Sequence, residues 1–551
     1  MEKLKQLVDT TSEWLFIPAI PTPNGRIHLG HIAGPFLKLD IIARAQRRLG
    51  AQAHMLSGSD VYESHILKKA EETGKTPEEV CNTFHLLDMA DLDALNIEFS
   101  NYFNPLSEEL NAHYHAFHKS YLDKLVGTGK TSERNGKYLY SPGAERFILG
   151  CWLSGECPNC HEPSGSYQCE KCGTQYQPEE LINPYSNNNE SDIEIVETPS
   201  LFLDISGVMD RVEAKWESMG VPENFREICR SFFNDQKGAI RLTNPDEWGV
   251  TYPVKGSDVT QVVFTYSSLY IYSLFVGEVY KKYISKENKN AFHKDSNLKI
   301  AISFGIDNTI PHIMTALALA FTLPEYKSFD FFVPNYFFHL EDDKFSTSRG
   351  HVIWGADIIN KTAVSADALR FYLVQQCPEE SATTFSVKQF LQTNNELLCS
   401  QLQKKVQDTW EHVDGSHIPA IDSDLEDRLY VAVKSQTKCM TPPTQEARNS
   451  NLFIIEWLNY RDEVSQEQLT WWMKGLALLA SPIMPDFARS IWNHLGNENQ
   501  PNLQDFYNQK PFVKSHLPIW FNEVSETDLT TVLPDSLIIN KQHDKAINTT
   551  T

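Results

Sequence analysis

The chain has 551 residues, 41% of them hydrophobic and 22% charged, with a formal net charge of −23. That length suits roughly three or four domains with sizeable cores, and the composition is that of an ordinary soluble protein. Acidity on this scale excludes a protein that is basic all over, so attraction to a polyanion must come from clustered residues. No apolar run approaches the roughly 18 residues of a membrane span. "MEKLKQLVDTTSEW" holds no signal-like apolar segment, so the expectation is a cytoplasmic protein without membrane contact.

"WLFIPAI" (14–20) reads as a buried strand, "PTPNG" as a turn, and 27–49 as a helix with Ile32, Phe36, Leu39, Ile42 and Ala43 on its apolar face. "AQAHMLSGSD" follows as a second strand that turns polar at its carboxyl end. Strand, helix, strand predicts a βαβ unit in a doubly wound parallel sheet, where ligands sit at the carboxyl ends of strands. At the first strand-to-helix junction, "PNGRIHLGH" sets His28 and His31 three residues apart on one face. A helix N-terminus favours phosphate, and Gly30, lacking a Cβ, leaves room for a flat ring near the backbone. Two ordinary helix-start histidines remain an open reading of these residues alone.

The rhythm breaks between about 125 and 250, which predicts an insertion between two halves of the sheet domain. It contains "CPNCHEPSGSYQCEKC", whose Cys157, Cys160, Cys169 and Cys172 have the two-knuckle spacing of a tetrahedral zinc site. Four thiolates leave no open position, so such a Zn2+ is structural. The other six cysteines read as small buried hydrophobes. Strand–helix alternation resumes at "VTQVVFTYSSLYIYSLF" and "NLKIAISFGIDNTIPHIMTALALAF".

"DDKFSTSRGHVIW" (342–354) comes next, with Lys344, Arg349 and three hydroxyls between hydrophobic segments. It suits a polyphosphate-gripping loop or a solvated turn. From about 389 the periodicity is helical, and the end after about 523 is polar, a surface strap or partly disordered. The expected division is 1–124 and 251–335 for the two halves of the sheet domain, with 125–250 the insertion between them. Residues 336–388 form the cationic loop and its surroundings, 389–523 a helical bundle, and 524–551 a tail.

"IHLGH" resembles the HIGH signature of class I aminoacyl-tRNA synthetases, and "KFSTS" resembles their KMSKS signature. With the knuckle between the halves, and "ELINP", "FGIDNTIPH" and "SPIMPDFARSIWNHLG" also matching, residues 14 to about 500 are most similar to methionyl-tRNA synthetases. The resemblance implies a Rossmann-type, HUP-like nucleotide-binding fold, followed by a helical bundle of the kind that contacts the anticodon. It also implies activation of an amino acid by ATP with Mg2+ and transfer to tRNA by a monomeric enzyme. Carried over to this sequence, His28 and His31 stabilise the pentavalent phosphate and Lys344 holds the leaving pyrophosphate. Gly30, Gly305, Asp307, Ser346, Ser348, Arg349 and Val352 bind ATP. Ile20, Thr22, Asp60, Phe264, Ser267 and His312 form the amino-acid pocket, with Asp60 pairing the substrate ammonium.

The pattern also departs from the family's. Thr347 stands where the second signature has its second lysine, so slower activation is expected. Thr22, Phe264, Ser267, Ser268 and Ile271 occupy positions where methionine pockets carry tyrosine, tryptophan, alanine, proline and tyrosine. Ser400, Lys404 and Asp408 fall where anticodon-reading groups are expected, while core packing accounts for Trp410, Trp457 and Trp471. These differences keep two other readings in view. One is a paralogue that passes a different activated amino acid to another acceptor, and the second is a silent binding scaffold.

Overall fold

The computed structural model describes residues 2–538 apart from 170, 173, 189, 191, 286, 348, 444 and 445. Alternation along β1 (Glu13–Pro18) shows how the chain is layered: Trp14 and Phe16 enter one core, Leu15 and Ile17 the other. β2 (Gln52–Gly58), β3 (Asn101–Phe103), β4 (Lys299–Gly305) and β5 (Phe331–Asn335) complete an all-parallel sheet in the order β5-β4-β1-β2-β3. The chain winds one way from β1 through β2 to β3 and the other way from β4 to β5. The switch point therefore lies between β1 and β4, and the crevice beyond their carboxyl ends is where such sheets bind ligands.

Between β1 and β2 the chain makes one turn, Leu29–His31, then a wide turn, Ile32–Phe36, and then α1 (Leu37–Leu49). Pro35 has no N–H to give to a regular turn, which accounts for the widening there. Gly50, at φ 103°, ends α1 in the left-handed conformation that glycine adopts without strain. α2 (Pro77–Ala94) begins with a Thr76–Glu79 capping box. α3 (Thr265–Tyr283) follows the strand Gln261–Val263. That strand does not join the parallel sheet; it pairs antiparallel with Thr243–Pro245. Only three residues long, it ends where Phe264 starts α3.

In the insertion, Thr131–Ser141 pairs along its length with Glu194–Asp204, and a smaller three-stranded sheet surrounds the cysteine knuckle. The knuckle has its own core around Trp152, Tyr138 and Tyr176. Residues such as Leu201, Trp216 and Phe225 instead join the core beneath Leu15 and Ile17. The opposite core runs without a break from Trp14 through α1 to the helical region, where Trp410, Trp457 and Trp471 are buried. Near the end of the described chain, Leu529 is buried and Ser536 meets His351 of the cationic loop, so this stretch lies as a strap.

α4 (Gly355–Lys361) and α5 (Ala366–Gln375) join the sheet to the bundle. On α5, Arg370 donates to Asp40 of α1 at 2.6 Å, both side chains being 0% exposed. Its other N–H groups reach the carbonyls of Leu95, Pro482 and Ile483 at 2.8–3.0 Å. One guanidinium thus satisfies three segments. Arg370→Leu should leave those carbonyls bare and Asp40 with only Arg44 and the Glu98 N–H, lowering apparent stability by about 3–5 kcal/mol. Urea unfolding would test this, and a loss below about 1 kcal/mol would remove Arg370 as the pin.

Candidate active site

The two signature segments meet at the switch point. The backbones of His28 and Trp354 form an antiparallel bridge, and Leu29 N–H donates to Ile353 O at 3.0 Å. The ring of His28 stacks on His31 at 3.8 Å between centroids and on Phe345 at 4.8 Å. Gly30 is required by this packing: a Cβ there would lie 2.8 Å from Phe345 and 2.9 Å from the His28 ring. Across the gap, Thr347 Cγ2 lies 3.6 Å from where Gly25 would carry a Cβ.

His28 is 8% exposed, its Nδ1 buried with no hydrogen-bond partner among the described residues. Burial, reinforced by His31, lowers its pKa well below the ordinary imidazole value. His31 lies against the His28 ring, and the protein packed around it lowers its pKa to about 4. Both rings are neutral at pH 7 and offer N–H donors rather than charge.

The cationic loop is a hairpin. Phe338–Leu340 pairs antiparallel with Asp343–Lys344 through Glu341 and Asp342, both with positive φ, the two-residue turn that matches strand twist. Lys344 is exposed with its ammonium 5.1 Å over Phe337, and Arg349 donates to Lys344 O at 3.3 Å. Ser346 and His351 close the loop by paired backbone bonds, and Ser346 Oγ accepts from Arg349 N–H at 3.4 Å. His351 Nε2 faces Leu340 O at 3.0 Å and so carries the proton, leaving Nδ1 to accept from Ser536 at 3.1 Å. Val352 is buried beside the bridge to His28. Ser348 lies outside the described residues.

On the other side of the cleft, Gly305 ends β4 with Asp307 folded over it, 2.4 Å from where a Cβ would stand. Asp60 N–H donates to Pro21 O at 2.9 Å, which joins the end of β2 to Ile20 and Thr22. Phe264, Tyr266 and Tyr167 form a corner of three rings with centroids 5.1–5.8 Å apart. Tyr167 comes from between the knuckle cysteines, so the insertion supplies one wall. Ser267 points away, donating to the Arg241 carbonyl. His312 is buried 4.9 Å from Phe304, and burial lowers its pKa to about 3. Its Nδ1 has no partner.

The four knuckle sulfurs lie within 4.8 Å of one another, with Cys157–Cys172 at 3.7 Å and Cys160–Cys169 at 3.6 Å. Zn–S bonds of about 2.3 Å arranged tetrahedrally need S···S edges of about 3.8 Å, so the cluster fits one such ion. Asn159 N–H points at Cys157 Sγ, 3.4 Å away, as suits a thiolate.

Comparisons with known proteins agree with this arrangement. The sequence profile described as tRNA synthetases class I (M) matches residues 15–409. The chain belongs to this family. It is similar to a methionine--tRNA ligase of Cytophaga hutchinsonii, 29% identical over 406 residues, which is 71% of this chain and 58% of that protein. Another relative, from Christiangramia forsetii, is 30% identical over 69% of this chain and 55% of its own length. A third, from Methanopyrus kandleri, is 26% identical over 89% of this chain and 76% of its own. The chain thus spans little more than half of the first two. In fold it resembles the Mycobacterium tuberculosis methionyl-tRNA synthetase in complex with methionyl-adenylate, at TM-score 0.68 and 17% identity. That match covers 92% of this chain and 99% of the other.

Several residues of this family member's cleft escape its sequence signatures. Arg26, inside "PNGRIHLGH", pairs with Asp91 at 2.6 Å and with Asp357 at 2.8 Å. Glu63, three residues past Asp60, accepts from Thr265 Oγ1. Asp88 is 0% exposed, with the Ile27 N–H and Arg26 close by but no hydrogen bond of full geometry to either oxygen among the described residues. Burial and then Asp91 push its pKa up to about 8. An acid raised in the folded state stabilises below its unfolded pKa, near 3.8, and the gain is lost as pH rises through about 8. Asp88→Asn should therefore gain on the native protein between those values, by up to about 1.4 kcal/mol per pH unit. Urea midpoints at several pH values across that range would show it. A difference constant with pH would mean that Asp88 is ionised throughout.

Proposed function

We propose that this chain activates an α-amino acid with ATP and passes it to tRNA, as the names of its methionine--tRNA ligase relatives imply for them. In the first step a carboxylate oxygen of the amino acid attacks the α-phosphorus of ATP. The bond to the bridging β-oxygen breaks, and pyrophosphate leaves with that electron pair. In the second, a ribose hydroxyl at the tRNA end attacks the acyl carbon and AMP leaves. The observation that carries this reading is the joining of both signatures at the switch point, with His28 stacked between His31 and Phe345.

Neutral His28 and His31 donate N–H bonds to oxygens that gain charge at the α-phosphorus, a role that needs preorganised dipoles more than a formal charge. Lys344 and Arg349 meet the leaving pyrophosphate, and the hydroxyl of Ser346, with Ser348 beside it in sequence, supports them. Gly30 leaves the nucleotide's path clear, Gly305 and Asp307 hold the ribose, and backbone groups at Val352 meet adenine. Asp60 pairs the substrate ammonium, while Ile20, Thr22, Phe264 and His312 bound a pocket for methionine or an amino acid of similar length. Ser267 acts one step back, by fixing the Arg241 carbonyl behind Phe264. Magnesium accompanies ATP and screens its phosphates. Zinc in the knuckle holds Tyr167 in place and takes no part in the chemistry. No described helix is long and apolar enough to cross a membrane. We place the enzyme, as a monomer, in the cytoplasm.

Amino-acid-dependent ATP–pyrophosphate exchange tests the first step. His28→Ala should lower it by about 10²-fold or more, and full exchange by that variant would refute the assignment. Filter binding of total tRNA at low salt, where phosphate contacts are strongest, tests the acceptor. No retention would point to an acceptor other than tRNA. Elemental analysis should find about one zinc per chain, lost in Cys160→Ser. Protein that folds without zinc would end the structural-metal reading.

A further inference from the structure

The turn Ile32–Phe36, which follows His31 directly, is wider than a regular helical turn, and turns of this kind are frequent at functional sites. A wide turn gives up regular hydrogen-bond geometry, so contacts from outside the helix have to hold it. Asn335, at the end of β5, packs against Gly34, where a Cβ would lie 2.6 Å from Asn335 Nδ2. Cys377 Sγ faces Ala33 O at 3.9 Å. One turn further on, Lys38 of α1 pairs with Glu379 at 3.0 Å, both side chains being 0% exposed. Cys377 and Glu379 belong to the short segment after α5, and Pro378 O between them accepts from Tyr336 N–H at 2.8 Å, next to Asn335. The wide turn is thus gripped at two successive residues, and the helix it leads into at a third point.

The same segment is also fastened to the bundle. Glu379 Oε1 accepts from Ala447 N–H at 2.9 Å as well as from Lys38, and Oε2 accepts from Arg448 N–H at 3.1 Å. Glu380 accepts from the Arg448 guanidinium at 2.9 Å. These bonds close the single turn Ala447–Asn449 that opens the bundle helix Ser450–Tyr460. From that helix Asn451, 1% exposed, donates to Phe371 O on α5 at 2.7 Å. Resting on the adenylation reading above, we propose that Glu379 is a positioning residue for His31. Through Lys38 and the wide turn it sets where the His31 ring stands, and it refers that setting to the bundle as well as to the sheet. Apolar residues of similar volume could fill this space with little loss of stability, so what the charges supply here is orientation.

The test is ATP–pyrophosphate exchange with methionine by the full-length protein and two variants. Glu379→Gln keeps an acceptor for the two N–H groups but removes the charge that faces Lys38. Lys38→Met, of similar length, leaves Glu379 on both N–H groups and is the variant to read should the first fail to fold. In either, kcat and kcat/KM should fall together by about 10-fold or more, with KM for methionine and ATP little moved, as when a group acting only in the transition state is displaced. Added to His31→Ala, the same substitutions should cost less than about twofold, because the ring they position is gone. A lowered urea midpoint with kcat unchanged would reduce Glu379 to a structural pin and overturn the inference. An equal loss of kcat with and without His31, or a rise in KM alone, would overturn it as well. No exchange by the unsubstituted protein, with methionine or any other amino acid, would sink the adenylation reading itself.

Discussion

Arg26 is the constraint on which the cleft depends. Its guanidinium grips Asp91 through two N–H groups, at 2.9 and 2.6 Å, and reaches Asp357 with a third, at 2.8 Å. Its plane lies 5.4 Å from the ring of Trp354. Asp91 in turn accepts from Ala356 N–H at 2.7 Å, at the start of α4. One side chain from the first signature thus fixes the helix that follows the second, against α2. A planar fork does this better than an ammonium, because two parallel bonds to one carboxylate set its orientation as well as its distance. Without it, the bridge between His28 and Trp354 would keep only its own backbone bonds and the Ala356–Asp91 contact to hold α4 in place.

The buried carboxylates of the molecule fall into two groups that differ in partner. Asp40 with Arg370, Glu379 with Lys38 and Asp91 with Arg26 join elements that are far apart in sequence. Their desolvation is offset by a cation and by further hydrogen bonds, so they act as pins. Asp60, Glu63 and Asp246 are desolvated without an ion pair among the described residues, and Asp88 has Arg26 near it but no ion pair. Such groups cost stability unless something else supplies a charge or a proton, and they are not confined to the cleft: burial raises Asp367, where α5 meets the bundle, to about 7. Burial raises Asp88, near Arg26, to about 8, so its neutral form is favoured well above the usual carboxyl range.

Much of this was legible in the sequence because it is local. The alternation of "WLFIP" set the two faces of β1, "PNGRIHLGH" marked the strand-to-helix junction, and the cysteine spacing marked the knuckle. What was not legible depends on distant contacts. "QVV" has the composition of a core strand, yet Thr243–Pro245 captures it outside the parallel sheet. The corner of rings needs Tyr167, nearly a hundred residues before Phe264, and nothing in "GSYQC" indicates where that ring points. Glu63, which no motif singles out, meets Thr265 at the start of α3 only through the fold.

The loop "KFSTS" shows how packing takes the place of a charge. A lysine at position 347 would have brought a second cation to the hairpin. Thr347 instead rests its methyl over Gly25, while Phe345 stacks on His28 and His351 ties Leu340 to Ser536. These contacts hold the loop against the first signature by shape, without help from a phosphate. The electrostatic work then falls to Lys344 and Arg349, both exposed and joined through the Lys344 carbonyl. In the proposed reaction, a loop held in this way would give up part of its grip on the leaving group but lose less freedom when a nucleotide arrives. Preorganisation of that kind acts most on the ground state of binding, and the missing charge most on the transition state. In the adenylation proposed above, the exchange of lysine for threonine would bear on the rate of activation more than on the affinity for ATP.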